Sequence, residues 1–372
     1  MKTFLFAFLT VYTTMHAVFL YRVHGLFSGR KGWWTALLVF CAFMVLVPML
    51  CRVLERTGWE MPARLLAYVG YPWMGFLFLA FWLSLIVGAV NAVLWLLHRF
   101  AGLGTGSLLD TPTALGVIVA AAVLSFYAVW EAQHLRIERV RVPTEKLPAH
   151  VPRLVVAQIS DVHLALNGGH ARSERIARVL REIAPDLVIS TGDLVDGRPH
   201  ALEPLLPVWQ NLKPPMGKVA IVGNHEYYVG LPEAMDWTRR AGFVSLRDNA
   251  MTLGGLLNVV GVDDTWKDRP ETESRLLQSA ANGLLTLYLK HRPQICPDTL
   301  GLFDVQLSGH THRGQIFPFT LFVAMIYPFF NGTYTLDKGS ILHTSRGTGT
   351  WGPPMRLLAP PEITVLEFVR KE

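Results

Sequence analysis

The hydrophobic pattern of the chain changes character about a third of the way along. Uncharged, largely apolar stretches run from Thr3 to Tyr21, Trp33 to Cys51, Pro72 to Leu97 and Thr113 to Trp130. Each approaches or exceeds the ~18–20 residues that cross a bilayer as a helix. One such stretch could be a buried core helix, but four in succession with short connections predict four membrane spans. The first has a single basic residue ahead of it, no small-x-small cleavage site, and three more spans behind it, so it reads as a span and not a leader. The mixed-charge segment EAQHLRIERVRVPTEKLPAHVP follows Trp130, and its prolines predict a linker that closes near Pro152. The expected division is therefore a membrane unit over 1–135, a linker over 136–152 and a further domain over 153–372.

Beyond the linker, short apolar runs alternate with longer amphipathic ones. RLVVAQIS (153–160), DLVIST (186–191), KVAIVG (218–223), LNVVGV (257–262), LLTLYLKH (284–291) and FDVQLSG (303–309) predict strands. ARSERIARVLREIAP (171–185) and ALEPLLPVWQNL predict helices. Strands alternating with helices indicate an α/β architecture, in which ligand sites gather beyond the carboxyl ends of the strands.

Charge refines this picture. The chain is 51% hydrophobic and 17% charged with a net charge of +6, against about 25% charged in ordinary soluble domains. Residues 1–130 carry eight Lys/Arg and three Asp/Glu, so the excess charge belongs to the membrane part. The remainder is nearly neutral and shows no basic patch, which excludes a nucleic-acid footprint. Lys2, Arg52, Arg56, Arg64, Arg136, Arg139, Arg141 and Lys146 fall on one side of four spans, against Arg22, Arg30, Lys31 and Arg99 on the other. The excess predicts a multi-pass protein of the inner or plasma membrane with both ends and the second domain in the cytoplasm. Cys296 is the one cysteine beyond the spans, so no disulfide framework is available there.

Polar residues stand wherever an apolar strand ends. SDVH carries Asp161 and His163, TGDLVDG carries Asp193 and Asp196, VGNHEYY carries Asn224 and His225, LKHRP carries His291, and LSGHTHRGQIFP carries His310 and His312. Taken singly these are turn residues or a satisfied histidine. Together they are oxygen and nitrogen donors suited to two divalent ions. In extended chain the i, i+2 spacing of Asp161 and His163 puts both on one face. No thiolate is among them, which argues against structural zinc.

The order D-x-H, G-D-x-x-D, G-N-H-E, a lone H and G-H-x-H resembles the calcineurin-like metallophosphoesterase superfamily. The closing segment SRGTGTWGPPMRLLAPPEITVLEF is similar to that of a membrane-associated bacterial subgroup that includes UDP-2,3-diacylglucosamine pyrophosphatases. The resemblance implies a four-layer α/β/β/α sandwich behind an all-α transmembrane four-helix unit. It assigns Asp161, His163 and His312 to one divalent ion, Asn224, His291 and His310 to a second, and Asp193 to both. Manganese is expected first, with iron, zinc and magnesium also compatible. His225 is implied as the group facing the phosphate, oriented by Asp196, and Glu226 as a supporting neighbour. The implied activity is hydrolysis of a phosphate or pyrophosphate ester of a phosphorylated lipid-linked substrate, UDP-2,3-diacylglucosamine being one candidate. A polyprenyl- or lipid-phosphate phosphatase or a general phosphodiesterase is the alternative. A non-catalytic membrane scaffold is the remote one, since such scaffolds should lose ligands and this chain keeps them.

Two positions depart from relatives. Gly197 follows Asp196 where protein phosphatases of the superfamily carry arginine, which argues against phosphoprotein substrates. Arg313 stands where glycine is usual and is a candidate second phosphate contact, with solvent or lipid phosphates as its other possible neighbours. The run IFPFTLFVAMIYPFF (316–330) reads either as a buried strand pair or as an apolar lip that dips into the bilayer surface.

Overall fold

The computed structural model describes residues 2–104, 107–165, 168–265 and 269–371. The chain separates into two compact units, one of residues 1–130 with 352–355, the other of 131–351 with 356–372.

The first unit contains α1 (Lys2–Val23), α2 (Lys31–Arg56), α3 (Glu60–Ala101) and most of α4 (Thr111–Gln133). All four are long and apolar enough to cross a membrane. The third is longer than the uncharged stretch Pro72–Leu97 alone suggests: its 42 residues continue helically through Pro72, for a length of ~63 Å, about twice the hydrocarbon thickness of a bilayer. Contacts between these helices use small residues and aromatics. A Cβ on Gly70 of α3 would collide with Val47 of α2, so glycine lets the two backbones approach closely. Trp73 packs edge-on against Phe19 and Phe40 and donates its indole N–H to His16 Nε2 at 3.0 Å, pairing two polar groups that lipid cannot satisfy.

The second unit is built on two six-stranded sheets. One comprises β1 (Arg136–Thr144), β2 (Arg153–Ile159), β3 (Leu187–Ser190), β4 (Lys218–Ala220), β5 (Val244–Ser245) and β12 (Glu362–Arg370). The other comprises β6 (Asn249–Leu253), β7 (Leu257–Gly261), β8 (Leu285–Leu289), β9 (Val305–Ser308), β10 (Gly332–Thr335) and β11 (Ile341–Thr344). The spatial orders are β1-β12-β2-β3-β4-β5 and β10-β11-β9-β8-β7-β6. Strands β2 to β5 are mutually parallel, as are β7, β8, β9 and β11.

Strand alternation explains the four layers. Val156, Ile189 and Val219 point between the sheets and meet Val259, Leu287 and Leu307. Their neighbours Ala157, Val188 and Ala220 point outward. They are covered there by α5 (Gly169–Ile183), α6 (Leu206–Gln210) and α8 (Leu231–Arg240), through Ile176, Leu180, Trp209 and Trp237. On the far side α9 (Pro270–Ser279) places Leu277 over Tyr288 and Val260. Burial on both faces is why the central strands read as continuous apolar runs. The short α7 (Asn224–Val229) and α10 (Phe319–Ile326) complete the unit.

The expected linker over 136–152 is corrected here, because its first nine residues are β1, pairing in parallel with β12 from Arg136↔Glu362 to Thr144↔Arg370. It is an edge strand whose charged residues pair across the surface, Arg139 with Glu367 at 2.7 Å and Glu138 with Arg346. Charges on a sheet edge deter further strand addition and hide the strand from a reading based on hydrophobicity.

Candidate active site

The carboxyl ends of β2, β3, β4, β8 and β9 deliver the predicted residues to one edge of the sandwich. Asp161 and His163 follow β2, Asp193 and Asp196 follow β3, Asn224 and His225 open α7 after β4, His291 follows β8, and His310 and His312 follow β9. The extended geometry expected for the i, i+2 pairs is not what aims them. Asp161, His163, Asp193, His310 and His312 have φ of +51°, +49°, +52°, +70° and +49°, and Arg313 has +51°. Non-glycine residues in this left-handed region cost on the order of 1–3 kcal/mol each and persist only where their surroundings dictate them. Close packing between the loops does so here. A Cβ on Gly223 would strike Asp193 Oδ1, and one on Gly309 would strike Ser160 and Asp161.

The donors form overlapping sets. Asp161, His163 and His312 offer ligand atoms within 4.8 Å of one another, as do Asp193, His291 and His310. Between them stands a third set, His163, Asp193 and His225. His163 Nε2 and His312 Nε2 are 3.0 Å apart, and His310 Nδ1 and His291 Nε2 are 3.2 Å apart. Asp193 Oδ2 lies 3.4 Å from His291 Nε2 and 3.8 Å from His163 Nε2. The residues fit divalent cations on their own chemistry. Asn224 Oδ1 is buried with no hydrogen-bond partner among the described residues, a costly arrangement unless a cation completes it. Burial, then the charges of His291 and Arg292, hold His310 well below its ordinary pKa. Burial, then Arg356 and His163, do the same for His312. Both rings are therefore neutral and offer lone pairs. His291 donates Nδ1–H to the Thr191 carbonyl at 2.8 Å and turns Nε2 toward Asp193 at 3.4 Å; burial disfavours the charged ring, but the Asp193 carboxylate outweighs it and lifts His291 to about 10.

Beside these sets, His225 Nδ1 is 2.6 Å from Asp196 Oδ1. Burial disfavours the charged ring, but the carboxylates of Asp196, Asp193 and Glu226 outweigh it and lift His225 to about 9. Burial likewise works against ionised Asp196, yet His225 and His163 hold its carboxyl well below the usual range. Glu226 is a brace: its carboxylate accepts from the backbone N–H of Asp193, Val195 and Gly223 at 3.1, 2.9 and 2.8 Å. It ties the G-D-x-x-D and G-N-H loops together. Burial and the neighbouring Asp193 push its pKa up to about 7. Arg313 lies on the turn after His312, and its Nε is buried with no hydrogen-bond partner among the described residues.

Two arginines outside the five donor motifs complete the frame. Arg356 is fully buried and donates to the carbonyls of His312, Arg346, Gly349 and Ala359, cinching the closing segment beneath the G-H-T-H turn. Arg172 of α5 donates to the carbonyls of Val162 and His163 at 2.8 and 2.7 Å. Arg172 sits in a helix pattern like any surface arginine, and Arg356, though within the closing segment SRGTGTWGPPMRLLAPPEITVLEF, carries no signal there of its role. Only the tertiary structure shows them turned inward.

A two-sheet sandwich with imidazoles and carboxylates gathered at one sheet edge is the build of a metal-dependent phosphoesterase, a hydrolase that binds divalent cations. Residues 154–314 match the family model described as calcineurin-like phosphoesterase. An uncharacterized metallophosphoesterase of Aquifex aeolicus is 37% identical over 258 residues, covering 68% of this chain and 98% of that one. A Campylobacter jejuni metallophosphoesterase, also uncharacterized, is 30% identical over 69% of this chain and 70% of its own length. A Danio rerio transmembrane protein with metallophosphoesterase domain is 30% identical, over 68% of this chain and 61% of that protein. The chain belongs to the calcineurin-like metallophosphoesterase family, and its four apolar helices make it a membrane-associated member.

Proposed function

We propose that the protein is a dinuclear phosphoesterase acting on a phosphate or pyrophosphate ester that is presented from the membrane. The observation that carries this reading is the placement of Asp193 between the two groups of donors, its Oδ2 3.4 Å from His291 Nε2 and 3.8 Å from His163 Nε2, with the His225–Asp196 pair alongside. Asp161, His163 and His312 would hold one ion, Asn224, His291 and His310 the other, and Asp193 both. Manganese suits this mix of imidazole and carboxylate donors first, with iron, zinc and magnesium also accommodated. Divalent ions supply positive charge for phosphate oxygens and acidify a water nucleophile.

The chain's own residues supply the rest. Asp196 accepts the Nδ1 proton of His225 and fixes its ring, which leaves Nε2 to give a proton to the departing oxygen. A cation held by Asp193 would pull the His225 pKa down from about 9, toward proton exchange near neutrality. Arg313 adds a guanidinium for a second phosphate. Tyr228 and Trp351 approach the His225 ring edge-on at 5.2 and 5.7 Å between centroids, an apolar wall beside the leaving-group position. With the four apolar helices, that wall supports a lipid-linked substrate. UDP-2,3-diacylglucosamine is one member of the class and a polyprenyl diphosphate another, with the catalytic unit on the cytoplasmic face.

The test is turnover by purified full-length protein with manganese. Bis-p-nitrophenyl phosphate comes first, then UDP-diacylglucosamine, polyprenyl diphosphate and phosphatidic acid in mixed micelles. The reading requires hydrolysis of at least one lipid phosphoester that is abolished by Asp193→Ala. Hydrolysis of the chromogenic ester alone removes the lipid assignment, and unchanged activity in Asp193→Ala removes the site.

A further inference from the structure

The apolar run over 316–330 is a flap whose two ends are fastened to the site. It is not the buried strand pair that its composition allowed. Its centre is α10, FTLFVAMI, in which Val323 is the buried residue. Met325 is 82% exposed and Ile326 70%, and Phe319 and Leu321 also face outward. No charged residue interrupts residues 316–330. At the leading end, Thr320 Oγ1 donates to the Arg313 carbonyl at 2.8 Å. Gly314 sits where any Cβ would collide with Thr320. At the trailing end, Thr311 Oγ1 donates to the Phe330 carbonyl at 2.7 Å. There too the Tyr327 hydroxyl stands 3.1 Å from His310 Nε2. That hydroxyl is within 3.4 Å of Arg292 Nη1, and Arg292 is itself held by Asp264 at 2.8 Å.

We propose that α10 is a bilayer-docking element that inserts Phe319, Leu321, Met325 and Ile326 into the lipid surface and thereby brings the catalytic edge to substrates embedded there. A lipid bilayer is the occupant because the chain carries its own anchor: four helices long and apolar enough to cross a membrane. Only His134 and Leu135 separate the end of α4 from the start of β1, so the sandwich cannot diffuse away from the membrane that holds those helices. A short helix with a wide apolar face and no charge suits the interface between headgroups and acyl chains. An exposed patch of this kind on a protein confined to a membrane surface is otherwise a liability. The flap ends on Tyr327 and Phe330, which touch His310 and Thr311, so docking and the G-H-T-H turn are mechanically joined.

Docking itself is independent of the reading of the site, and only its catalytic consequence rests on that reading. The experiment uses full-length protein in nanodiscs of phosphatidylethanolamine and phosphatidylglycerol, one copy per disc. A nitroxide is placed at Met325→Cys or, as a solvent-facing reference, at Glu271→Cys, with the unsubstituted protein reporting labelling of its three buried cysteines. Power saturation should show position 325 accessible to oxygen and shielded from a nickel chelate, and position 271 the reverse. Equal nickel access at both overturns the proposal. So does shielding that appears only when discs hold two copies, which would make a second chain the occupant. The double substitution Met325→Glu, Ile326→Glu should cut turnover of bilayer phosphatidic acid tenfold or more while bis-p-nitrophenyl phosphate hydrolysis stays within twofold. Equal losses on both substrates, with an unchanged melting temperature, overturn the link between docking and substrate delivery. A wild type that hydrolyses neither substrate refutes the site reading, while the spin-label result still decides docking.

Discussion

Phe6, Trp33, Phe100 and Phe126 of the helical unit are 72–79% exposed, whereas Trp209 and Trp237 of the α/β unit are at most 1% exposed. The same residue types face opposite ways because the two units are made for different solvents. In lipid, apolar side chains gain nothing by turning inward, so helices meet through glycine and paired polar groups such as His16 and Trp73. In water, apolar burial supplies the driving force. The α/β unit spends that stability on a dense ring of buried imidazoles and carboxylates with left-handed backbone. The helical unit has no comparable cluster among its described residues. Among the described residues, the clustered ligand-type side chains therefore lie in the unit with a strong core.

The sharpest test of that division is Asp193→Ala, expected to lower kcat at least 10³-fold by removing the carboxylate proposed to serve both ions. Metal content measured by plasma mass spectrometry should fall with it, and helicity by circular dichroism should stay. Chelation with EDTA should abolish phosphoester hydrolysis and manganese restore it, again with the helical signal unchanged. Loss of helicity on chelation would show that the units are not energetically separate. His225→Ala should cost about 10²–10⁴ in kcat yet retain the metal content of wild type, since His225 is assigned to proton transfer and not to an ion. Loss of an ion in that variant would move His225 into the ligand set.

Packing tests the comparison at a finer level. Trp237→Ala should destabilise the α/β unit by about 3–5 kcal/mol, since the indole fills the core and donates to the Leu202 carbonyl at 3.1 Å. Phe126→Ala, on an outward face of α4, should change the detergent-solubilised melting temperature by no more than a degree or two, as outward-facing substitutions shift stability by about 0.5 kcal/mol or less. Comparable losses would mean that Phe126 has a protein partner. The smallest effect is a pH dependence at Glu362. Burial opposes its charge, but the His343 hydrogen bond and Arg346, 2.5 Å away, hold its carboxyl below the ordinary glutamate value. A depressed carboxyl contributes stability that is complete above the unfolded-state pKa and is lost as pH falls through the folded one. Wild type should therefore lose melting temperature on acidification more steeply than Glu362→Gln. Parallel curves would refute that account.

Much of the fold was legible where one physical constraint acted alone. The four helices announce themselves because lipid tolerates no charge over a whole span. The central strands do so because both their faces are buried. The edge strand β1 was read as linker because its outward residues are charged. Strands β5, β6, β10, β11 and β12 escaped the same reading. The apolar run at 316–330 left strand pair and lip both open, since its hydrophobicity says that it avoids water without saying what it meets. For the site, the five motifs contain every residue of the donor clusters seen among the described residues, His225 included, and Asn224 and Asp196 beside them. They did not reveal Arg172, Arg356 or Tyr327, which act through contacts with residues far away in the sequence.

What the sequence determined by itself is therefore the list: four spans, an α/β domain, and metal-ligating residue types at strand ends, all properties that a local stretch of chain expresses. What only the tertiary structure decided is the aim. The left-handed turns at Asp161, His163, Asp193, His310 and His312, the buried arginines beneath them and the tyrosine of the flap depend on loops from five strand ends pressing on one another. No local pattern encodes such a meeting, because each conformation is unfavourable alone and is held only by the others.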